Sequence, residues 1–311
     1  MSLKLIKQAS VYKVVLPTMD AMVEHLATIP HTDLTPSAAS GSGFVKLASH
    51  GDYCAPFHGG YAFALRYDEK IVPGSVVKDE LAKWIERFKE REGYTPGRKE
   101  QRDMREQVVA GLNAVALVRS KTVTCYYHEE SQLLIVPTIS RKLKDAVMGQ
   151  LVRAVESMKS TTIHVSTAKG SLTSRLVSHM ADTSAAFDNF DVGDRVSIVG
   201  PNGKSTFDMT DLTDAADGID EAFAAGGQVS ELGLLLNGVD FRLTQDFLLK
   251  GIVFGEAEGA DDAGEGFDDP AAEFEHEAGV QVLLVTQIIT ALCCLFDYTP
   301  VIKTEENDDL V

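Results

Sequence analysis

The sequence predicts an α+β fold: antiparallel sheets with helices on one face, an inserted helical hairpin, and a separate smaller α+β domain. Three observations predict it. Short β-branched and aromatic runs are bounded by turn residues, and amphipathic segments of helical spacing lie between them. Two β/α units of this kind flank a long, charged segment without strand character.

The first unit opens with the strand "ASVYKVVL" and continues into "TMDAMVEHLATI". There Met19, Met22, Val23, Leu26 and Ile29 recur at helical spacing and Thr18 is available as N-cap. "GFVKLAS" and "YAFALRYDEKIVP" read as two strands around a Gly- and His-containing turn, giving the order β-α-β-β. "SVVKDELAKWIERFKERE" then reads as a helix with Ser75 as N-cap and an apolar stripe of Val77, Leu81, Trp84, Ile85 and Phe88. It ends at Gly93, and "RKEQRDMREQVVAGLNAVAL" runs back as its partner. In the second unit "KTVTCYYHEE" and "QLLIVPTI" form a hairpin across Glu130 and Ser131. A helix from Arg141 follows, with Leu143, Val147, Met148, Leu151 and Val155 on one face, and "TTIHVST" closes as a strand.

Beyond residue 167 come a strand–turn–strand at "DRVSIVGPNGKSTFDMTDL", a helix ending at Gly226-Gly227, and strands around Asn237-Gly238, a strong hairpin signal. The tract 255–278 is rich in Asp and Glu and holds no Lys or Arg, a composition expected of a flexible linker. The predicted division is therefore 1–74 with 119–166 and 279–303 as a central sheet domain, 75–118 as a helical tip, 167–254 as a base, and 255–278 as the linker. The apolar run 280–296 is 17 residues long, carries Gln281, Thr286, Gln287 and Thr290, and reads as a buried helix, since a membrane span needs roughly 20 apolar residues. Four cysteines with no framework spacing, and no apolar leader at the amino terminus, point to a cytoplasmic protein with free thiols.

The formal net charge of −17 divides unevenly. Residues 1–180 hold 24 Lys and Arg against 18 Asp and Glu, whereas 181–311 hold 5 against 28. An asymmetry of this kind fits polyanion binding by the amino-terminal part. It equally fits an acidic surface that keeps the protein soluble. Between Arg119 and Arg175 the basic residues are Arg119, Lys121, Arg141, Lys142, Lys144, Arg153, Lys159, Lys169 and Arg175, against only Glu129, Glu130, Asp145 and Glu156. Arg141, Lys142 and Lys144 open the second-unit helix, where free backbone N–H groups also favour anions.

No catalytic motif survives inspection. In "GPNGKST" only Pro201 and Asn202 separate Gly200 from Gly203, too few residues to curl around a phosphate, so this is a hairpin turn. His50, Cys54 and His58 are spaced like metal ligands, but they lie in a predicted loop without an evident fourth ligand. The late carboxylates are scattered, unlike the compact set of a two-metal nuclease. No cofactor is expected.

"DEKIVPGSVVKDELAKWIERFKEREG" resembles the E-E-K-I-L-P-x-x-V-I strand-to-helix motif of the recombination-associated protein RdgC family. "TDLTDAADGIDEAFAAGGQVSELGLLLNGVDFRL" is similar to that family's D-L-T-x-x-E-I-x-x-H-I-x-x-G-K-x-V-T-K-L-A-L block, and "REQVVAGLNAVALVRSKTVTCYYHEESQLLIVPTISRK" to the block between. Arg119 is kept from the family's L-P-R-A-F-S-R-F run, while Val115 and Ser120 replace its first arginine and final aromatic. The resemblance implies a non-enzymatic, nucleoid-associated protein that binds double-stranded DNA without sequence preference. It also implies a ring-shaped homodimer around DNA that restrains the RecA recombinase. The hairpin 75–118 would then close the ring, and Arg119, Lys121, Arg141, Lys142, Lys144, Arg153, Lys169 and Arg175 would contact phosphates. Two alternatives stay open: an acidic interaction module that displaces nucleic acid from a partner, and a metal-dependent exonuclease.

Overall fold

A computed structural model describes residues 5–155, 158, 160–162, 168–181, 186–201, 203–208, 212–255 and 269–299. The fold is α+β with antiparallel sheet pairing, as predicted. The chain divides into two compact units: the described parts of Met1–Thr28, Lys46–Ala64 and Val123–Val311, and Ile29–Val45 with Leu65–Thr122. The expected tip, 75–118, falls within the smaller unit. The expected base, 167–254, falls in the larger unit together with the first central strand.

In the larger unit the strands are β1 (Gln8–Val14), β3 (Cys54–Phe57), β6 (Leu133–Val136), β7 (Ser160–Thr162), β8 (Asp191–Gly200), β9 (Gly203–Asp208), β10 (Gln228–Leu236), β11 (Val239–Thr244) and β12 (Leu249–Phe254). To these are added the first part of β4 (Gly60–Lys70) and the second part of β5 (Val118–His128). The neighbours run β5-β6-β1-β12-β11-β10-β8-β9. Strand β1 is the hinge of this order, because Ser10 to Lys13 pair with β6 while Gln8 and Ala9 pair with Lys250 and Leu249 of β12.

Helices α1 (Met19–Ala27), α4 (Arg141–Ala154), α5 (Ala168–Met180), α6 (Leu212–Ala224) and α7 (Pro270–Leu295) complete the unit. Their apolar faces follow the sequence: Met22 and Leu26 of α1, and Leu143, Val147 and Leu151 of α4, are buried. Thr18 occupies the N-cap of α1 without a side-chain bond. At the β10–β11 turn Asn237 and Gly238 both take positive φ, 50° and 74°, as a two-residue hairpin requires. Gly200 pairs with Gly203 across the β8–β9 turn, so "GPNGKST" is a hairpin connection.

Three differences from the sequence reading have local causes. Strand β3 was expected as loop: its Pro56 weakens the strand signal, but among the described residues β3 pairs only with β4, an arrangement that tolerates proline. Helix α5 was not predicted, although Leu172 and Leu176 are buried one turn apart. Helix α7 begins at Pro270, inside the expected linker. Asp269 caps it by accepting from the Ala271 amide at 3.0 Å, and Pro270 sits at the first helical position, where a missing N–H is harmless. Glu273 in the first turn is favoured by the helix dipole, while Phe274 and Ala278 start the buried face that continues through Val282 and Val285. Residues 256–268 lie outside the described residues.

By length and composition α7 could cross a membrane, but its buried residues make it a core helix. Its Gln281 is buried for a reason: Oε1 accepts from the amides of Leu5 and Ile6, each at 3.1 Å, where the chain enters β1.

The smaller unit contains β2 (Ser40–Val45), the outer part of β4, the start of β5, and the helical hairpin of α2 (Gly74–Glu92) and α3 (Arg98–Val115). Here β4 lies between β2 and β5. Helix α2 starts one residue before the expected cap Ser75, with Pro73 as N-cap, and ends at Gly93 in the left-handed region, φ 76°. Glu100 accepts from the Gly97 amide at 2.7 Å and closes the start of α3. Within the two helices only Val77 and Val108 are fully buried, Pro96 is buried in the turn between them, and Leu81, Trp84, Ile85 and Phe88 are half-buried.

Candidate nucleic-acid interface

The first turn of α4 carries Arg141, Lys142 and Lys144 and no acidic residue. Ser140 stands at the N-cap without using its side chain, so the helix start is not closed by its own capping oxygen. The Arg141 side chain is almost fully exposed and reaches Asp145 at 3.6 Å, a surface pair one turn away that contributes little. Lys142 is exposed and Lys144 half-buried. The arrangement is local in origin: Leu143 and Val147 fix one face of the helix inward, which turns 141 and 142 outward.

The other expected cations have different surroundings. Arg153 is exposed at the far end of α4, twelve residues on and about 18 Å along the axis. In the smaller unit Arg119 and Lys121 lie two apart on β5, on the same side of the strand, and both are exposed. The Arg119 guanidinium is held by Glu69, with Nε at 3.1 Å from Oε1. Lys169 falls in α5, with its side chain outside the described residues. Arg175 serves the fold: Nη1 donates to the Ala186 carbonyl at 2.6 Å, Nη2 to the Leu295 carbonyl, and the guanidinium stacks 5.7 Å from the Phe296 ring centroid. It secures the carboxyl end of α7, where unpaired carbonyls favour a cation.

Sequence reasoning placed no cations of interest after residue 181, yet four of the five there lie among the paired strands β8–β12. Glu231 on β10 is 7% exposed and meets Lys250 at 2.9 Å, Arg242 at 3.0 Å and Lys204 at 3.9 Å. Arg195 pairs with Asp208 at 3.6 Å. The available signal was a charged residue at a polar position within each of several predicted strands, but the pairing register that gathers them is nonlocal.

Burial pushes the Glu231 carboxyl upward, while the Lys250 hydrogen bond and the nearby Lys250, Arg242 and Lys204 charges outweigh it, so the net shift is downward. A depressed native value stabilises the fold above the ordinary Glu pKa of about 4.3, and that contribution disappears as pH falls through the native value. Thermal melts between neutral pH and pH 3 should therefore show a shallower acid decline for Glu231→Gln than for the parent chain. Identical slopes would mean that the cluster adds nothing to acid stability.

His50, Cys54 and His58 form no metal-ligand cluster among the described residues. Cys54 is buried in β3, where burial pushes its thiol up to about 12. His50 bonds Ser49 at 2.9 Å and Glu275 of α7 at 3.0 Å. The smaller unit also exposes apolar side chains around the start of β5. Ile71 donates its amide to the Leu117 carbonyl at 2.9 Å, and Ile71, Val115, Leu117 and Val118 all face solvent.

A family model described as "Putative exonuclease, RdgC" matches residues 5–298. Recombination-associated protein RdgC of Neisseria meningitidis serogroup C is 26% identical over 278 residues, covering 84% of this chain and 90% of that protein. The Neisseria gonorrhoeae protein of the same name has the same identity and coverage. That of Xanthomonas oryzae pv. oryzae is 25% identical over 213 residues, 68% of this chain and 69% of its own. The family match spans nearly the whole described architecture, from the approach to β1 through α7, and the chain belongs to the RdgC family.

Proposed function

We propose that this protein acts in recombination by binding double-stranded DNA without sequence preference, as a homodimeric ring that restrains the RecA recombinase. The names of its relatives support the recombination role. The observation that carries the DNA reading is the first turn of α4, where Arg141, Lys142 and Lys144 surround a helix start with no acidic residue. Such a turn presents cations and backbone N–H groups to phosphate oxygens together, and phosphate contacts position a protein without reading bases. The exposed apolar side chains of Ile71, Val115, Leu117 and Val118 support self-association, because uncovered apolar surface gains by being covered.

The role proposed is binding, not catalysis. The reading is tested with the full chain and a labelled random-sequence duplex, titrated at several salt concentrations with and without magnesium or manganese. Binding that falls linearly on a log–log salt plot, with the duplex left uncut, is the expected result. If no duplex is bound at low salt, and deleting 256–268, which leaves the capped start of α7 intact, restores nothing, the acidic interaction module replaces this reading. Metal-dependent shortening of the duplex would replace it with a nuclease.

A further inference from the structure

The geometry points to a binding site for one divalent transition-metal ion, of the zinc or manganese class, formed by His31, Asp33 and Asp68 in the smaller unit. One ligand atom from each of the three lies within 4.8 Å of the other two. His31 Nε2 and Asp68 Oδ2 are 2.9 Å apart. Nitrogen and oxygen ligands at about 2.0–2.2 Å from one ion stand about 3 Å apart when adjacent and about 4.2 Å apart when opposite, so this spacing fits a shared ion.

The two inner ligands are held from behind. Asp68 is 2% exposed on β4, and its Oδ1 accepts from Arg66 Nε at 2.9 Å, which leaves Oδ2 directed at His31. Arg66 in turn donates to Ser120 Oγ at 3.0 Å. Burial alone would raise the Asp68 carboxyl, but its hydrogen bonds to Arg66 and Ser120 and the Arg66 charge bring it below its ordinary value, so it is an anion at neutral pH. Outer partners of this kind fix the orientation of a ligating carboxylate. The His31 amide donates to Phe44 at 2.9 Å, and the Phe44 amide to Ile29 at 2.9 Å. This close approach needs Gly43: a Cβ there would stand 2.5 Å from His31 Cα.

Asp33 decides between an ion site and an ordinary ion-pair relay. Arg66 and His31 both bond Asp68 directly, whereas the exposed Asp33 carboxylate reaches Arg66 only through charge and places a third ligand atom beside His31 and Asp68. Two carboxylates and one imidazole around a single guanidinium supply the anionic and nitrogen ligands that a divalent ion takes. One imidazole with two carboxylates suits zinc or manganese better than magnesium or calcium, and the exposed side leaves positions for water. The ion would pin the 29–33 segment to β4.

The full chain is stripped with chelator and titrated with zinc in excess magnesium, which occupies the acidic surface. Bound zinc is counted after desalting, and melting temperature is followed in parallel. One more tightly held zinc per parent chain than per Asp33→Asn chain is expected, with affinity at least about tenfold weaker in the variant. The zinc-dependent rise in melting temperature should vanish in Asp33→Asn, while its metal-free melting temperature falls only slightly, because Asp33 is exposed and touches the Arg66 relay through charge alone. His31→Ala should lose the same ion. Equal zinc binding by parent and Asp33→Asn, or none by the parent, would overturn the site. Neither result depends on whether the protein binds DNA.

Discussion

Replacing Arg141, Lys142 and Lys144 together by alanine is expected to weaken duplex binding by about two to three orders of magnitude at 0.1 M salt, and to flatten the log–log salt slope by up to ~2.7. The magnitude follows from counterion release, since each phosphate contact contributes about 0.9 to the slope and three are removed. The fold should be untouched. Arg141 and Lys142 are exposed, alanine is the best helix former, and the buried face of Leu143, Val147 and Leu151 is retained. Circular dichroism and a thermal melt check this before anisotropy titrations are compared. Arg153→Ala is the internal control. If α4 lies along the duplex it lowers the slope by about 0.9; if only the first turn contacts phosphate, the slope stays at the parental value. An unchanged slope in the triple variant would remove α4 from the interface, and the other exposed cations, including Arg119 and Lys121, would have to carry it.

How much of this was legible in the sequence depends on whether the determining interaction is local. Asn237-Gly238 marks its own turn, because both residues tolerate positive φ. The buried faces of α1 and α4 are visible in helical spacing, since Met22 and Leu26, or Leu143, Val147 and Leu151, need no knowledge of what covers them. Where a residue's partner is distant, the reading lost its hold. Arg175 looked like another phosphate-binding cation, but its guanidinium meets a carbonyl 120 residues away at Leu295. Glu231 and its three cations come from four different strands, and only the pairing register of β8 to β12 brings them together. The start of α7 shows a different failure. Composition favoured disorder through 278, whereas Asp269-Pro270, a capping pair, and Phe274 with Ala278, a buried pair, override the acidic average. His31, Asp33 and Asp68 combine both problems, with two residues in one segment and the third 35 positions beyond Asp33, joined by a strand pairing that the sequence does not announce.

Leu117→Asp and Val115→Asp should convert a self-associating chain to a monomer at micromolar concentration. Val115 is 81% exposed and Leu117 79%, values expected for loop lysines and not for branched apolar side chains, and Ile71 and Val118 are about half uncovered. Covering one such side chain is worth about 1.5–3 kcal/mol. In a twofold contact each residue counts twice, so losing one from both copies removes about 3–6 kcal/mol, or roughly two to four orders of magnitude in the dimer dissociation constant. Aspartate adds the desolvation of two carboxylates to that loss. The monomer itself should remain intact, because the Ile71 amide bonds the Leu117 carbonyl and not its side chain. Sedimentation equilibrium reads the mass directly. Arg119, two residues beyond Leu117 and held by Glu69, makes a matched control: Arg119→Ala leaves the apolar surface in place and should keep the parental mass. A parent that sediments as a monomer would end the homodimer reading, and aspartate variants that stay associated would move self-association away from the start of β5. The α4 experiment would still report on DNA binding, since a monomer offers the same first turn to phosphate and differs only in how many contacts a single complex can make.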